Sequence, residues 1–248
     1  MAKRILSILA HPDDAEFLCA GTQVRLHKEH GYEVHIATMT AGDCGSATIG
    51  PNEISAIRTR EGADAAAIIS GKYHCLHERD LLVFYNELAL TKVTNLIREV
   101  QPEIVLTHSP SDYMLDHEQT SKLARAACFC APIPNFSSFG PATIPHIPHL
   151  YYCDPIEGLD PMGKEVEPQF LVDISLTLET KAQMLAAHAS QREWLLKHHG
   201  MDQYVHAMRE FSQKQGRKIG VKAAEGFRQH LGHSYPSDNL LGKLLGAR

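Results

Sequence analysis

The stretch that decides the fold is RILSILAHPDDAEF, residues 4–17. Its first half is a short apolar run, of the length that is typical of a buried parallel strand. Its second half places a histidine, a proline, two adjacent aspartates and a glutamate directly after that run. Pro12 suits the first turn of a helix, because its missing N–H has no helical partner there. The stretch therefore predicts a strand that turns at once into a helix, with a polar cluster at the turn.

The same alternation of strand and helix continues along the first half of the chain. Helical spacing predicts helices at 13–30, 52–70, 86–100 and 117–130, and apolar runs predict strands at 4–10, 33–39, 72–77 and 102–108. This order is typical of βαβ units with right-handed crossovers around a parallel sheet. We therefore predict an α/β fold with a Rossmann-like doubly wound, mostly parallel sheet, in a single domain that spans residues 1–248.

The second half of the chain follows a different pattern. Residues 131–168 carry repeated prolines around one predicted strand at 149–153, and a last strand is predicted at 169–175. Two long helices, at 176–199 and 202–230, form a C-terminal helical elaboration. The tail beyond them has no clear periodicity, and its leucines need a packing partner, for which a second subunit is one option.

Composition excludes several classes of protein. A formal net charge of −5 and a pI near 6.3 argue against nucleic acid or an anionic membrane as the partner. The apolar run at 5–10 is shorter than a secretory signal requires, and no stretch reaches the length of a membrane span. The cysteines are scattered without a CxxC pair, as in a reducing compartment. We expect a cytoplasmic protein with no membrane span and no nucleic-acid partner.

Three polar clusters follow predicted strands: AHPDDAE at 10–16, TAGDCGS at 40–46 and THSPSDYMLDH at 107–117. Ligands of open α/β sheets bind at the carboxyl ends of the strands, so these clusters are expected to meet at one site. A dinucleotide-binding oxidoreductase would need a glycine-rich turn after the first strand. Residues 10–16 contain no glycine, which argues against that class.

His11 and Asp14 are candidate metal ligands. The macrodipole at a helix N-terminus stabilises each aspartate by about 0.3–1 kcal/mol, which is sufficient to explain the two aspartates alone. It does not explain His11, because a cationic imidazole would be repelled there. A divalent metal accounts for all of these residues, since imidazole and carboxylate are common zinc ligands.

A third ligand is then required, and His117 is the candidate after the fourth strand. A lone histidine at the start of a helix is more often a core or capping residue, but beside His11 and Asp14 we interpret His117 as the third ligand. This set predicts a bound divalent metal ion, and its donor types are common in zinc sites. Asp13 is left free, and a carboxylate in that place can serve as the general base for water.

Together these motifs resemble the PIG-L/LmbE family of zinc-dependent N-deacetylases. AHPDDAE is similar to the family's signature after its first strand, and Asp116-His117 is similar to the Asp-His pair that ends its second motif. Further similar segments are TAGDCGS (40–46), RTREGADAAAIISG (58–71), ERD (78–80), VDISLTLETKAQMLAAHASQ (172–191) and AEGFR (224–228).

The resemblance implies a hydrolase that removes an N-acetyl group from a GlcNAc-type sugar or glycoconjugate. The resemblance implies one zinc ion per chain as the cofactor; by position, His11, Asp14 and His117 correspond to its ligands and Asp13 to the general base. Family members often assemble as trimers or hexamers, so a homo-oligomer is expected.

The resemblance also implies substrate contacts. Arg58 and Asp80 are candidates for holding sugar hydroxyls, although Arg58 could instead pair with Glu61 on its own helix. Asp116 is a candidate for holding the His117 imidazole from behind, with helix capping as the alternative.

One residue departs from the family pattern. The second motif usually reads His-Pro-Asp-His, and here Met114 stands in place of the first histidine. A thioether can neither polarise a carbonyl nor protonate an amine. Either Asp13 carries the proton alone, or His108, Asp112 or Tyr113 contributes, and Asp112 is therefore a further candidate for contact with the substrate.

Two other functions stay open at this point. A metal-dependent hydratase or lyase acting on a small carboxylic acid is the main alternative, because one branch of the family adds water to such an acid. A non-enzymatic sugar-binding module is the other alternative. It predicts that Asp13→Asn leaves binding intact.

Overall fold

The computed structural model describes residues 3–136, 140–191 and 203–247. Within these ranges, seven strands form one sheet in the order β3-β2-β1-β4-β5-β7-β6. The strands are β1 (Arg4–Leu9), β2 (Glu33–Thr40), β3 (Lys72–Glu78), β4 (Ile104–Thr107), β5 (His149–Cys153), β6 (Phe170–Asp173) and β7 (Ala224–Gln229).

Strands β1 to β5 are parallel, as the apolar runs predicted. β1 pairs with β2 on one side and with β4 on the other, so the order of the strands reverses at β1. The loops that follow β1 and β4 diverge to opposite sides of the sheet and leave a crevice between them. The polar clusters after these two strands border that crevice.

Helices cover both faces of the sheet. The helices are α1 (Asp14–Leu18), α2 (Ala20–His30), α3 (Pro51–Ala67), α4 (Glu87–Val100), α5 (Leu115–Cys130), α6 (Leu178–Ala186), α7 (Gln203–Ile219) and α8 (Leu240–Leu245). One hydrophobic core lies under α1, α2, α3 and α6 to α8, and a second lies under α4 and α5. None of the helices in the described ranges is long and apolar enough to cross a membrane.

The helix predicted at 13–30 is interrupted at Cys19, where α1 ends and α2 begins. The Glu225 carboxylate accepts hydrogen bonds from the backbone N–H groups of Gly21 and Thr22, at 2.9 and 2.8 Å. The Lys181 ammonium lies 2.7 Å from the same carboxylate in the buried core. A distant charge therefore caps α2, and helical periodicity alone does not reveal the break.

The C-terminal prediction needs correction. The helix predicted at 202–230 ends at Ile219, and residues 224–229 form β7, antiparallel to both β5 and β6. The helix predicted at 176–199 is represented by α6, which ends at Ala186, and residues 192–202 lie outside the described ranges. Pairing with distant strands stabilises β7, which a local sequence pattern does not show.

The tail beyond β7 packs within its own chain. Leu241 and Leu245 of α8 are buried in the core beside α2 and β6. The packing partner that the leucines of the tail require is therefore found without a second subunit.

Candidate metal centre

The turn between β1 and α1 has a strained backbone at Asp13. This residue is the N-cap of α1 and adopts φ 106° and ψ −25°, a left-handed backbone conformation that residues other than glycine rarely adopt. Pro12 precedes the N-cap instead of lying inside the first turn. Arg58 Nη2 donates a 2.7 Å hydrogen bond to the Pro12 carbonyl and so holds the turn. Strain of this kind costs about 1–3 kcal/mol and is concentrated at functional sites.

The three predicted ligands meet at the crevice. His11 Nδ1 lies 3.4 Å from Asp14 Oδ2, and His117 Nε2 lies 3.6 Å from Asp14 Oδ1. One ligand atom from each of the three residues lies within 4.8 Å of the others, and all three residues are buried. Two imidazoles and a carboxylate in this arrangement form a donor set that suits zinc.

The other nitrogen of each imidazole is held by a carboxylate. His11 Nε2 lies 3.2 Å from Asp116 Oδ2, and His117 Nδ1 lies 2.9 Å from Asp112 Oδ1. Carboxylates in these positions fix the ring orientation and leave His11 Nδ1 and His117 Nε2 facing Asp14. The residues present therefore fit a bound divalent metal.

These contacts correct two expectations from the sequence. Asp116 contacts His11, not His117 as predicted. Asp112, predicted to contact substrate, is buried behind His117 instead. Asp116 also accepts hydrogen bonds from the backbone N–H groups of Leu81 and Val83, so it joins the loop after β3 to the site.

The charges of the site are set by burial and by these pairs. Burial opposes a proton on His11, but the hydrogen bonds to Asp116 and Asp14 outweigh it and raise the His11 pKa to about 10. Burial likewise opposes charge on Asp14, but His117 nearby holds the pKa of that carboxyl well below its usual value. The buried carboxylates thus strongly stabilise a positive charge at this point, and a divalent cation would supply that charge.

His108 lies behind the ligands. It is fully buried, and its ring stacks on His117 at 3.8 Å between centroids. Its Nε2 lies 3.0 Å from the Ala10 backbone nitrogen and 3.1 Å from Asp14 Oδ2. Burial lowers its pKa to about 4, and it stays neutral at pH 7. Of the three candidates to replace the family histidine, only Tyr113 lines the cavity.

Asp13 faces the cavity beside the ligand set. Arg58 Nη2 lies 3.2 Å from Asp13 Oδ2, and Tyr204 forms a second side-chain hydrogen bond to Asp13. Burial raises the pKa of Asp13, and the positive charge of Arg58 partly offsets that rise. Asp13 is thus a carboxylate that is held in place and remains accessible from the cavity.

Arg58 lies between the strained turn and the loop after β2. A side-chain Cβ at Gly42 or Gly45 would collide with its guanidinium, which explains why that loop carries glycines. The alternative pairing with Glu61 does not form, because the Glu61 carboxylate accepts hydrogen bonds from Ser190 N and Oγ at 2.7 and 2.6 Å.

Asp80 lies on the opposite wall. Its Oδ2 accepts a 2.8 Å hydrogen bond from the Cys44 backbone N–H. Its Oδ1 lies 4.0 Å from His11 Nε2 and has no hydrogen-bond partner among the described residues. Substrate contacts from Arg58 and Asp80 stay predictions.

The cavity at this site has a volume of about 580 Å³. Sequence patterns did not single out several of its lining residues, because they converge from distant segments: Phe17, Ile156, Gln191, Tyr204 and Ala207. Gln191 is the exception, because it is the last residue of the segment 172–191 that is similar to the family. His188, in the same segment, is fully buried, and its Nε2 lies 3.4 Å from Glu16 Oε2.

We expect Asp112→Asn to weaken metal binding by about 10–100-fold, because the neutral amide polarises the His117 ring less than the carboxylate does. Competition with a chromophoric chelator measures the affinity. The exposed Asp64→Asn on α3 is the matched control. Equal affinities for Asp112→Asn and wild type would show that the contact behind His117 does not support the metal.

Comparison with known proteins places these features in a family. The family model described as GlcNAc-PI de-N-acetylase, PIG-L, matches residues 6–128, which include all three predicted ligands. The diacetylchitobiose deacetylase of Thermococcus kodakarensis is 28% identical over 202 residues, which cover 76% of this chain and 70% of that protein. The 4-oxalmesaconate hydratase of Pseudomonas putida is 24% identical over 230 residues, covering 90% and 84%.

A solved structure agrees with the sequence comparison. The N,N'-diacetylchitobiose deacetylase from Pyrococcus horikoshii matches with a TM-score of 0.78 and 26% identity, covering 96% of this chain and 89% of that one. The match extends over both halves of the sheet, beyond the segment of the family model. The chain belongs to the PIG-L (GlcNAc-PI de-N-acetylase) family.

Proposed function

We propose that the protein is a zinc-dependent N-deacetylase that removes the acetyl group of a GlcNAc-type sugar or glycoconjugate. Membership of the family and the deacetylase relatives support hydrolysis of an amide C–N bond. The observation that carries the proposal is the position of Asp13, an accessible carboxylate beside two imidazoles and a carboxylate that can hold one metal ion.

Zinc is the metal that the donor set favours. His11, Asp14 and His117 supply nitrogen and oxygen ligands from three protein groups, the number that catalytic zinc sites use. When bound there, the metal would polarise the acyl carbonyl and make a water molecule more acidic.

Asp13 is the proposed base. Its carboxylate takes a proton from water as the water oxygen attacks the acyl carbon, and Arg58 and Tyr204 keep the carboxylate aimed at that point. The C–N bond then breaks, and acetate and a free amine are the products. The amine nitrogen needs a proton, which Asp13 returns to it.

Met114 explains why one residue would carry the proton in both directions. It lines the cavity where the family usually has a histidine, and its thioether has no proton to give. Among the described residues, Tyr113 and Tyr204 are the hydroxyl donors that line the cavity wall. Burial raises the pKa of both phenols, so both remain protonated and act as hydrogen-bond donors.

The test is release of acetate from N-acetylglucosaminides by protein loaded with one equivalent of zinc. We expect turnover with the loaded protein and none after chelation, with recovery on readdition of zinc. Failure of the zinc-loaded protein to release acetate from the monosaccharide and from longer N-acetylated sugars would refute the proposal.

Hydration of a small unsaturated carboxylic acid is the second candidate. Met114 favours it, because adding water to a carbon–carbon double bond requires no protonation of a leaving amine, and a hydratase relative covers most of the chain. If the protein is a hydratase, the same metal-loaded protein should decrease the double-bond absorbance of unsaturated dicarboxylic acids. It should release no acetate from sugars.

We expect Tyr204→Phe to lower kcat by about tenfold or more with little change in KM. A hydrogen bond to a charged group contributes about 1.5–3 kcal/mol, and here it orients the proposed base. Steady-state kinetics on zinc-loaded protein measure the effect. Tyr113→Phe is the comparison, because Tyr113 also lines the cavity. A larger loss of kcat in Tyr113→Phe would show that Tyr113, and not Tyr204, is the tyrosine that supports the reaction.

A further inference from the structure

A second group of possible metal ligands lies in two loops at the edge of the cavity. Asp43 and Cys44 belong to the loop after β2, and Asp80 belongs to the loop after β3. One ligand atom from each of these residues lies within 4.8 Å of the other two. None of them is among the three ligands of the candidate metal centre. The group therefore has a donor set of its own, with one thiol and two carboxylates.

The Asp80 carboxylate has an oxygen that the fold leaves without a partner. Asp80 is 7% exposed, and its Oδ1 is buried with no hydrogen-bond partner among the described residues. His11 Nε2, at 4.0 Å, is beyond hydrogen-bond distance and already contacts Asp116. Asp80 and Cys44 both line the cavity, so a small ion can reach them. A buried carboxylate oxygen without a donor is costly, and a bound cation would remove that cost.

Hydrogen bonds between the two loops hold this group in place. The Cys44 backbone N–H donates to Asp80 Oδ2 at 2.8 Å, and the Asp80 backbone N–H donates to Asp43 Oδ1 at 2.7 Å. Ligands that are already ordered lower the entropic cost of binding. Arg79 Nε also donates to Asp43, at 3.1 Å, but the Arg79 side chain is 68% exposed and can turn into water when a cation takes its place.

The charge around the Cys44 thiol favours a cation. Partial burial raises the pKa of this thiol. Arg79 only partly offsets three carboxylates that raise the pKa further: Asp43, Asp80 and Asp116. Without a cation the thiol therefore stays protonated at pH 7. A divalent ion that binds there displaces the proton to solvent and forms a metal–sulfur bond with the thiolate.

The thiol determines which class of cation fits. Two carboxylates alone would suit a hard ion such as magnesium or calcium. A thiolate ligand shifts the preference towards softer ions. Zinc accepts cysteine sulfur and carboxylate oxygen in the same four-coordinate site, and water can complete three protein ligands.

We propose that Asp43, Cys44 and Asp80 form a second divalent-cation site, which takes a thiophilic ion such as zinc. The ion joins the loop after β2 to the loop after β3. It binds more weakly than the ion at the candidate metal centre, because Cys44 is exposed and the pairing of Arg79 with Asp43 must be given up. The site does not depend on the reaction proposed for the protein, because its ligands are outside the proposed catalytic set.

Cadmium is the probe for this site, because a cadmium–thiolate bond absorbs in the ultraviolet and the candidate metal centre has no cysteine ligand. The protein is loaded with one equivalent of zinc and then titrated with cadmium chloride. We expect the thiolate absorbance to rise and to saturate at one cadmium–thiolate centre per chain. No thiolate absorbance in the wild type would overturn the proposal.

Two variants test the ligands one at a time. Cys44→Ser should abolish the absorbance, because a serine hydroxyl stays protonated and provides no sulfur. Asp80→Asn should weaken cadmium binding by about tenfold or more. Its amide oxygen can still accept the hydrogen bond from the Cys44 backbone N–H, but the unpartnered carboxylate oxygen is lost. Thermal unfolding checks that both variants are folded.

The matched control is Cys75→Ser. Cys75 is a half-buried thiol on β3, and its Sγ lies 3.6 Å from His77 Nδ1, so this pair is an alternative place for a soft ion. The control variant should keep the absorbance of the wild type. Absorbance that persists in Cys44→Ser and disappears in Cys75→Ser would assign the cadmium to Cys75 and overturn the proposed site.

Thermal unfolding with zinc gives a second readout that involves no substrate. A second equivalent of zinc should raise the Tm of the wild type and of Cys75→Ser beyond the rise caused by the first equivalent, because an ion that binds only the folded state stabilises it. Cys44→Ser should show the first rise only. The same second rise in Cys44→Ser as in the wild type would show that zinc does not use this site.

Discussion

Asp13→Asn is expected to lower kcat by about 10²–10⁴-fold while metal content stays at the level of the wild type. Asparagine has nearly the shape of aspartate but cannot take up the proton of the attacking water. It also tolerates the left-handed backbone that this position requires, so the β1–α1 turn should persist. His11, Asp14 and His117 are unchanged in the variant and keep their ligand atoms.

The measurement combines acetate release with elemental analysis of the same sample. Asp64→Asn, an exposed substitution on α3, is the control for the chemical change. Retention of metal with loss of turnover is the expected pair of results. A kcat within about threefold of the wild type would show that Asp13 is not the base, since general-base catalysis raises the rate by far more than that.

His11→Ala and His117→Ala are expected to reduce bound metal from one per chain to about a tenth of that or less under dialysis, with loss of activity. Each variant removes one of three protein ligands. In His11→Ala, the carboxylates of Asp116 and Asp14 also lose the imidazole that they share, which leaves their buried negative charge less well neutralised.

Metal analysis after dialysis gives the result directly, and the exposed His146→Ala serves as the control. Thermal unfolding with and without zinc adds a second readout, because a ligand that binds only the folded state raises its stability. The wild type should gain stability on adding zinc, and the two variants should gain much less. Unchanged metal content in both variants would show that these histidines are not ligands.

Local sequence patterns were sufficient for the part of the fold that carries the site. The apolar run before His11 predicted β1, and Pro12 predicted the turn into a helix. Because the carboxyl ends of parallel strands lie at one edge of the sheet, the loops after β1 and β4 were expected to meet, and they do. The three candidate ligands followed from their metal-binding side chains and from the places of their loops in the order of the strands, and the family resemblance implied the same set.

The carboxylates behind the ligands were assigned incorrectly for a geometric reason. Adjacent residues on a helix point in directions about 100° apart, so Asp116 and His117 cannot face each other. The turn before α5 instead brings Asp112 against His117, and Asp116 reaches across the crevice to His11. Helix geometry alone excludes the first pairing, whereas the second depends on how two strands pack.

Other features depend on contacts between distant segments. β7 is a strand because β5 and β6 leave a gap for it, and its own residues carry no strong alternation. Tyr204 reaches Asp13 only because α7 packs over the first turn of α1. A cytoplasmic location, a homo-oligomer and a single domain over residues 1–248 stay predictions from the sequence.

The buried Glu225 carboxylate has a consequence for biosynthesis. It accepts a hydrogen bond from Gly21, 204 positions earlier in the chain. At about 5–20 residues per second, a ribosome makes Glu225 roughly 10–40 s after Gly21. Throughout that interval the nascent chain lacks both the anion at the start of α2 and the strand that separates β5 from β6. The segment that carries the β1–α1 turn is thus translated early and gains its last stabilising contacts late, and apolar surface exposed during such a delay is prone to aggregation.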